Sequence, residues 1–187
     1  MPASTLPATT PALAGEQLVE AAQAYSQEAW GQIFDSCYPK IHQYCYLRTN
    51  SRSTAEDLAS EVFLEALRGI HRYEHRGVPL LAWLYRIARN VTADHMRRSL
   101  RWHVVPIADD SLEATDRADA TMLHHDMFAA ISQLTDDQQQ VIILRFFQGF
   151  SSNETAILMR RRSSAVRSLQ HRALGTLRRI LDGPPGR

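Results

Sequence analysis

Arginine carries most of the chemistry available to this chain. Between Arg160 and Leu181 stand Arg160, Arg161, Arg162, Arg167, Arg172, Arg178 and Arg179 without a single acid. Between Tyr85 and His103 stand Arg86, Arg89, Arg97, Arg98 and Arg101 against one acid, Asp94. A guanidinium is a planar fork of donors that pairs bidentately with a guanine edge or clamps a phosphate. A helix that is merely solvated tends to mix signs, because opposite charges three or four residues apart stabilise it. Two blocks of one sign therefore imply two surfaces that face a polyanion, with solvated arginine faces as the plainer alternative. The formal net charge of +1 conceals them, since Asp109, Asp110, Glu113, Asp116 and Asp119 crowd the stretch between the blocks.

Other chemistries find little support. Five histidines (His42, His71, His75, His124, His125) and two cysteines invite a metal, but Cys37 and Cys45 lie eight apart, and His124 and His125 face different sides of a helix, so no compact ligand set forms. Neither a nucleophile elbow nor a phosphate-cradling glycine loop nor a paired-carboxylate site is present, and no cofactor or enzymatic activity is expected. Two cysteines without a secretory pattern before them fit a reducing cytoplasm. No apolar run nears the roughly 18 residues a membrane span requires. Residues 1–23, opening on a Pro-, Ala- and Thr-rich stretch, are expected to be a disordered tail, as are residues 183–187.

The elements that must position the arginines read as helices throughout. Ser or Thr followed three residues later by Glu or Gln marks helix starts at Ser53, Thr135 and Ser151. After the first, Leu58, Val62, Ala66 and Ile70 recur at helical spacing. Upstream, Trp30, Ile33, Phe34 and Cys37 suggest one helix, and Pro39, suited to a first helical position, opens another. Leu80, Leu84, Ile87, Ala88 and Val91 trace a buried stripe through a helix ending near Arg98. Four helices thus make a first domain over residues 24–100, and residues 101–120, aperiodic and acidic with Pro106, read as a flexible linker. A second domain over 121–182 holds helices at Leu123–Leu134, Asp136–Gln148, Ser152–Met159 and Ser163–Leu181. The last two form a short helix, a brief turn and a longer helix, the geometry that lets a second helix enter the major groove. On that longer helix Val166, Leu169, Ala173, Leu177 and Ile180 lie on one side and Ser164, Arg167, Ser168 and His171 on another. Amides at Ser163 and Ser164 can hold a phosphate. The fold class is all-α, two small helical domains joined by a linker.

Several segments resemble the bacterial sigma factors of the sigma-70 class, in particular the extracytoplasmic-function (ECF) group. They are Ala55-Glu56-Asp57-Leu58 through Glu61-Val62-Phe63-Leu64; Ala82-Trp83-Leu84-Tyr85-Arg86-Ile87-Ala88-Arg89-Asn90 with Asp94 and Arg97-Arg98; Leu134 with Gln139, Val141, Leu144-Arg145 and Gly149; and Ala165 through Leu174. The likeness runs from about residue 27 to 180. It implies a non-catalytic subunit that binds core RNA polymerase, directs it to promoters and helps open the duplex. The four-helix domain is then similar to sigma region 2 and reads the minus-10 element, while the helix-turn-helix domain reads the minus-35 element.

By the same resemblance, the helix bearing Asp57, Glu61 and Glu65 meets the clamp helices of the largest polymerase subunit, with Leu58 and Phe63 supplying apolar contact. Stacked acids at four-residue spacing destabilise a helix mildly, and a cationic partner relieves them. The loop after that helix is where such factors capture a flipped base. Tyr73, His75 and Arg76 are the expected contacts there, because unstacked bases regain roughly 1–3 kcal/mol on aromatic or guanidinium planes. Arg86, Arg89, Asn90, Arg97 and Arg98 are expected on the minus-10 DNA, and Trp83 in the core. Arg160, Arg162, Ser163, Ser164, Arg167, Ser168, His171 and Arg172 are expected on the minus-35 DNA. The resemblance further implies contact with the flap of the second-largest subunit, an anti-sigma factor as partner, no membrane contact of its own, and a place in the cytoplasm at the nucleoid. Arg160 stands where the family's turn has Gly, so it must accept a positive φ or the turn must differ. The rival reading is a stand-alone helix-turn-helix regulator that does not need polymerase.

Overall fold

The computed structural model describes residues 16–74, 79–101 and 127–182 of the 187. Helices make up nearly all of them, and no strand occurs among the described residues. His75 and Arg76, the linker stretch 102–120 and the tails 1–15 and 183–187 fall outside them.

The first helix, α1 (Glu16–Gln23), lies inside the stretch expected to be a tail. Its amphipathic spacing puts Val19 and Ala22 into the core, and Gln23 Nε2 donates to the carbonyls of Ile70 (3.2 Å) and Tyr73 (2.9 Å). The Trp30 indole returns a bond to the Ala22 carbonyl at 3.0 Å. A Pro-rich opening masked this helix because it is only two turns long.

Where two helices were expected with a break at Pro39, a single helix α2 (Gln27–Thr49) runs through. Proline removes one backbone donor, but the buried stripe Ile33, Cys37, Ile41, Tyr44 and Cys45 is continuous across it and holds the helix together. Asn50, in the left-handed conformation its side chain tolerates, ends it. The next helix, α3 (Arg52–Gly69), is capped two residues earlier than expected, by Ser51 rather than Ser53. Ser51, extended at φ −140°, accepts from the Thr54 amide at 3.3 Å, which frees Glu56 to pair with Arg52 at 3.2 Å. A 3-10 turn (Ile70–Arg72) follows, and then α4 (Leu80–Arg101).

Beyond residue 126 come α5 (127–132), α6 (Asp136–Ile142), α7 (Ser152–Met159) and α8 (Ser163–Leu181). The two downstream capping boxes form as expected. The Gln138 side-chain oxygen accepts from the Thr135 amide at 3.1 Å, and that of Glu154 from the Ser151 amide at 2.7 Å. Those two bonds to Ser151 hold the Glu154 carboxyl below the usual carboxylate range. The helix expected through Gln148 widens after Ile142 into a π-turn (Ile143–Phe147), where the Gln148 amide reaches back to Ile143. That extra residue swings the chain into Gly149, at φ 74°, and sets the entry to α7.

Two helical units are present, as the sequence implies, yet one apolar cluster runs through both, with Leu134, Ile142 and Ala173 forming a smaller one in the second. Tyr44, Tyr85 and Leu84 of the first unit and Val141, Ile143, Leu144 and Val166 of the second all belong to the larger cluster.

Candidate nucleic-acid interface

The turn between α7 and α8 settles how the reading helix is set. Arg160 takes φ 51° and ψ 44°, the left-handed conformation, and its amide bonds back to the Ile157 carbonyl. The chain therefore keeps the tight turn and accepts strain where glycine has none. From Arg162, α8 is launched over the unit's core. Val166, Leu169 and Ala173 are buried, while Ser164, Arg167, Ser168, His171 and Arg172 stand exposed. Arg160 and Arg162 are exposed beside them, and half-buried Ser163 donates to Asn153 Oδ1 at 2.8 Å, tying the turn to α7. Behind the helix, Arg145 donates to Gln170 Oε1 at 3.0 Å and to the Phe150 carbonyl. The expected minus-35 residues are thus gathered on one exposed surface, and α8 itself carries no acid from Ser163 to Leu181.

The second arginine block is different. On α4, Arg86, Arg89 and Asn90 share a face with Arg97 about two to three turns on. Asn90, Arg97 and Arg98 are exposed, Arg97 being paired with Asp94. Arg86 and Arg89 are only half exposed, because the second unit is packed against them. Arg89 reaches Asp137 at 3.0 Å and Asp136 at 3.6 Å. Burial, with Arg160 nearby, pushes the Arg86 pKa down.

Three expectations need correcting. Tyr73, offered as a base contact, is 5% exposed, its ring tilted against Trp83 at 5.3 Å. It packs as a core aromatic, the role expected of Trp83, and anchors the start of the loop. Leu58 (4% exposed) and Phe63 (7%) are likewise interior, because they fall on the stripe of α3 that faces α2 and α4. Their place on the acidic face is taken by Leu64, 53% exposed and set between Glu61 and Glu65. Asp57, Glu61 and Glu65 are exposed as expected, with Glu65 paired to Arg68 at 2.8 Å. Arg98 does not extend the arginine face. It lines a cleft of about 450 Å³ with Asp57, Glu61, Thr54 and His95, on the acidic side of the unit.

Comparison with known proteins follows the same division. Residues 33–102 match the family model for Sigma-70 region 2, and residues 124–177 that for Sigma-70, region 4. The chain is 31% identical over 166 residues to the ECF RNA polymerase sigma factor SigX of Bacillus subtilis, covering 83% of this chain and 85% of that one. The chain belongs to the ECF sigma factors. It is also 37% identical over 172 residues to the ECF RNA polymerase sigma factor BldN of Streptomyces coelicolor, spanning 88% of this chain and 65% of that longer protein. The sigma factor RpoE of Bartonella quintana, solved in complex with the anti-sigma factor NepR, shares the fold, with a TM-score of 0.62 at 24% identity over 83% of this chain and 98% of that one. ECF sigma factors are transcription-initiation factors, so a stand-alone regulator is not the favoured account of this chain. Among the described residues no helix of this sigma factor is long and apolar enough to cross a membrane.

Sequence reasoning missed the residues that join the two units. Arg48, at the end of α2, pairs with Asp136, and Arg89 of α4 pairs with Asp137, which Arg161 of its own unit also holds. Tyr85 donates to Gln148 Oε1 at 2.7 Å, while Gln148 Nε2 donates to Gln43 Oε1 at 3.0 Å. The phenol ring of Tyr85 also meets Phe150 edge-on at 5.6 Å. No local pattern could have found these pairs, since their partners lie 24 to 105 residues away in sequence. The one available signal was Asp136-Asp137 at a helix start, which the macrodipole alone explains.

Proposed function

We propose the following division of labour for this sigma factor. The acidic face of α3, with Asp57, Glu61 and Glu65 around Leu64, binds the clamp helices of core RNA polymerase. The α4 face of Arg86, Arg89, Asn90 and Arg97, with His75 and Arg76 of the loop that precedes α4, engages the minus-10 element. The α8 face of Arg162, Ser164, Arg167, Ser168, His171 and Arg172, with Arg160 and Ser163 at its start, reads the minus-35 element. The protein catalyses nothing itself and contributes binding energy that the polymerase converts into an open duplex. It works inside the bacterial cell at the nucleoid, and it is held in check by an anti-sigma factor that covers one or both DNA faces, as the complex formed by RpoE of Bartonella quintana suggests.

The observation that carries this reading is the acid-free, exposed face of α8 backed by Val166, Leu169 and Ala173. A helix so mounted presents a fork of guanidinium donors at groove depth, and a bidentate arginine contact discriminates a base by about 1–3 kcal/mol. Run-off transcription with bacterial core polymerase and a promoter library tests it. Specific initiation that disappears in the Asp57→Arg, Glu61→Arg double variant is expected. Binding to DNA with no initiation at any promoter would replace the reading with that of a regulator acting alone.

A further inference from the structure

Two guanidinium groups of the first unit converge on a single carboxylate of the second. Arg48 Nη2 is paired with one oxygen of Asp136, and Arg89 Nη2 lies 3.6 Å from the other. The Arg48 side chain is 4% exposed, yet its Nε has no partner among the described residues, and the buried Tyr44 hydroxyl has none among them either. Burial pushes the Tyr44 phenol up to about 12, with Arg48 opposing the rise and Asp136 adding to it. A buried cation with an unmet donor is costly to keep merely as architecture, since hydrophobic packing serves stability as well or better. From the first unit's side the arrangement is an anion cradle. A carboxylate bridging two arginines has the shape and charge that the two free oxygens of a phosphodiester also offer.

We propose that Arg48 and Arg89 form a binding site for a backbone phosphate of promoter DNA, and that Asp136, seconded by Asp137, occupies that site when the two units are docked. Arg89 of the cradle stands on α4, which also carries Arg86, Asn90 and Arg97, so the anion the cradle takes when Asp136 leaves is the backbone of the same DNA. Docking also brings Arg160 of the upstream face close to Arg86 of the downstream face. The two faces cannot then serve promoter elements that are well separated along a duplex, and undocking exposes cradle and face together. This inference rests on α4 facing the minus-10 element, and it adds Arg48, which lies outside the arginine block, to that face.

The test uses the full chain assembled with core polymerase and a fork-junction DNA carrying the minus-10 element, with affinity measured across salt concentrations. Each phosphate neutralised contributes about 0.9 to the slope of log affinity against log salt on duplex DNA. Arg48→Gln is expected to weaken binding several-fold and to flatten the slope by about one, while Arg48→Lys keeps the slope and core-polymerase affinity is unchanged in both. An unchanged slope in a folded Arg48→Gln overturns the proposal. If Arg48→Gln does not fold, Asp136→Asn in the free chain decides. It should lengthen the distance between fluorophores placed through Arg68→Cys and Gly175→Cys, both exposed sites, and raise affinity for a minus-10 oligonucleotide. No change in either measurement also overturns the proposal. Loss of polyglutamate binding with an unaltered DNA slope would assign the cradle to an acidic peptide and overturn it as well. Failure of the wild-type chain to support run-off transcription would instead remove the sigma reading on which the inference rests, an outcome visible before any variant is made.

Discussion

The two arginine faces of this protein are written in the same residues and held in opposite conditions. On α8, Arg167, Arg172 and their serine and histidine neighbours pair with no acid among the described residues and are open to solvent. On α4, Arg86 and Arg89 are half covered, and Arg89 shares Asp136 and Asp137 with Arg48 and Arg161. Composition cannot distinguish a face that is ready from one that is occupied, because the occupant comes from elsewhere in the chain. What separates them is that α8 packs on its own unit by one stripe, whereas α4 packs against helices of both units.

The comparison can be broken most severely at the open face. Arg167→Ala removes a guanidinium with no acid partner to release, so the whole loss should fall on DNA. A decrease of about 1–3 kcal/mol in affinity for a minus-35 duplex is expected, with relaxed preference at one base position, read by binding to a panel of single-base variants. Uniform weakening across the panel would make Arg167 a phosphate contact only.

The covered face gives a smaller effect. Tyr85→Phe keeps the ring against Tyr44 and Phe150 and removes only the bond to Gln148. Docking of the units should weaken by about 0.5–1.5 kcal/mol, seen as faster amide exchange in α6 and α7 with α3 unaffected. Equal acceleration in α3 would mean that the bond supports the whole fold rather than the joint.

Arg160 sharpens the comparison from the turn that mounts the open face. Its left-handed backbone costs about 1–2 kcal/mol, and glycine's larger unfolded freedom returns roughly 0.5–1 kcal/mol of that. Arg160→Gly should therefore stabilise the second unit by less than about 1 kcal/mol in a denaturant titration while removing one charge from the DNA face. Destabilisation would show that the side chain has a supporting role that its exposure does not suggest.

The smallest effect is set by pH. Glu154 is held below its ordinary pKa by the two Ser151 bonds, so its contribution is present above the unfolded carboxylate value and lost as pH falls through the folded one. Thermal melts of Glu154→Ala should fall below wild type at neutral pH and converge towards it in acid. A constant gap across that range would mean that the ionised carboxylate contributes nothing to the cap.

Much of this was legible in the residues. α7, with its own cap, and α8, with its periodic stripe, were readable to the residue, because Ser151 and Glu154, like the stripe from Val166, act within a few turns of one another. Pro39 and Ser53 misled for the opposite reason. A continuous stripe overrode the proline, and Ser51, two residues earlier, won the cap by reaching the Thr54 amide. Tyr73, Leu58 and Phe63 were placed on surfaces by type and position in a motif, whereas their burial depends on which face of α3 and its turn meets α2 and α4. Long-range partners such as Arg48 with Asp136 leave no periodic trace and could only be seen in three dimensions.

The central claim is that one chain carries two separable DNA faces for a polymerase to use. Hydroxyl-radical footprinting of the holoenzyme on a cognate promoter tests it most directly, comparing Arg86→Ala, Arg89→Ala with Arg167→Ala, Arg172→Ala. The account predicts two protected patches, the first pair of changes clearing only the one around minus-10 and the second only the one around minus-35. A single contiguous patch, or the loss of both patches from either pair, would contradict it.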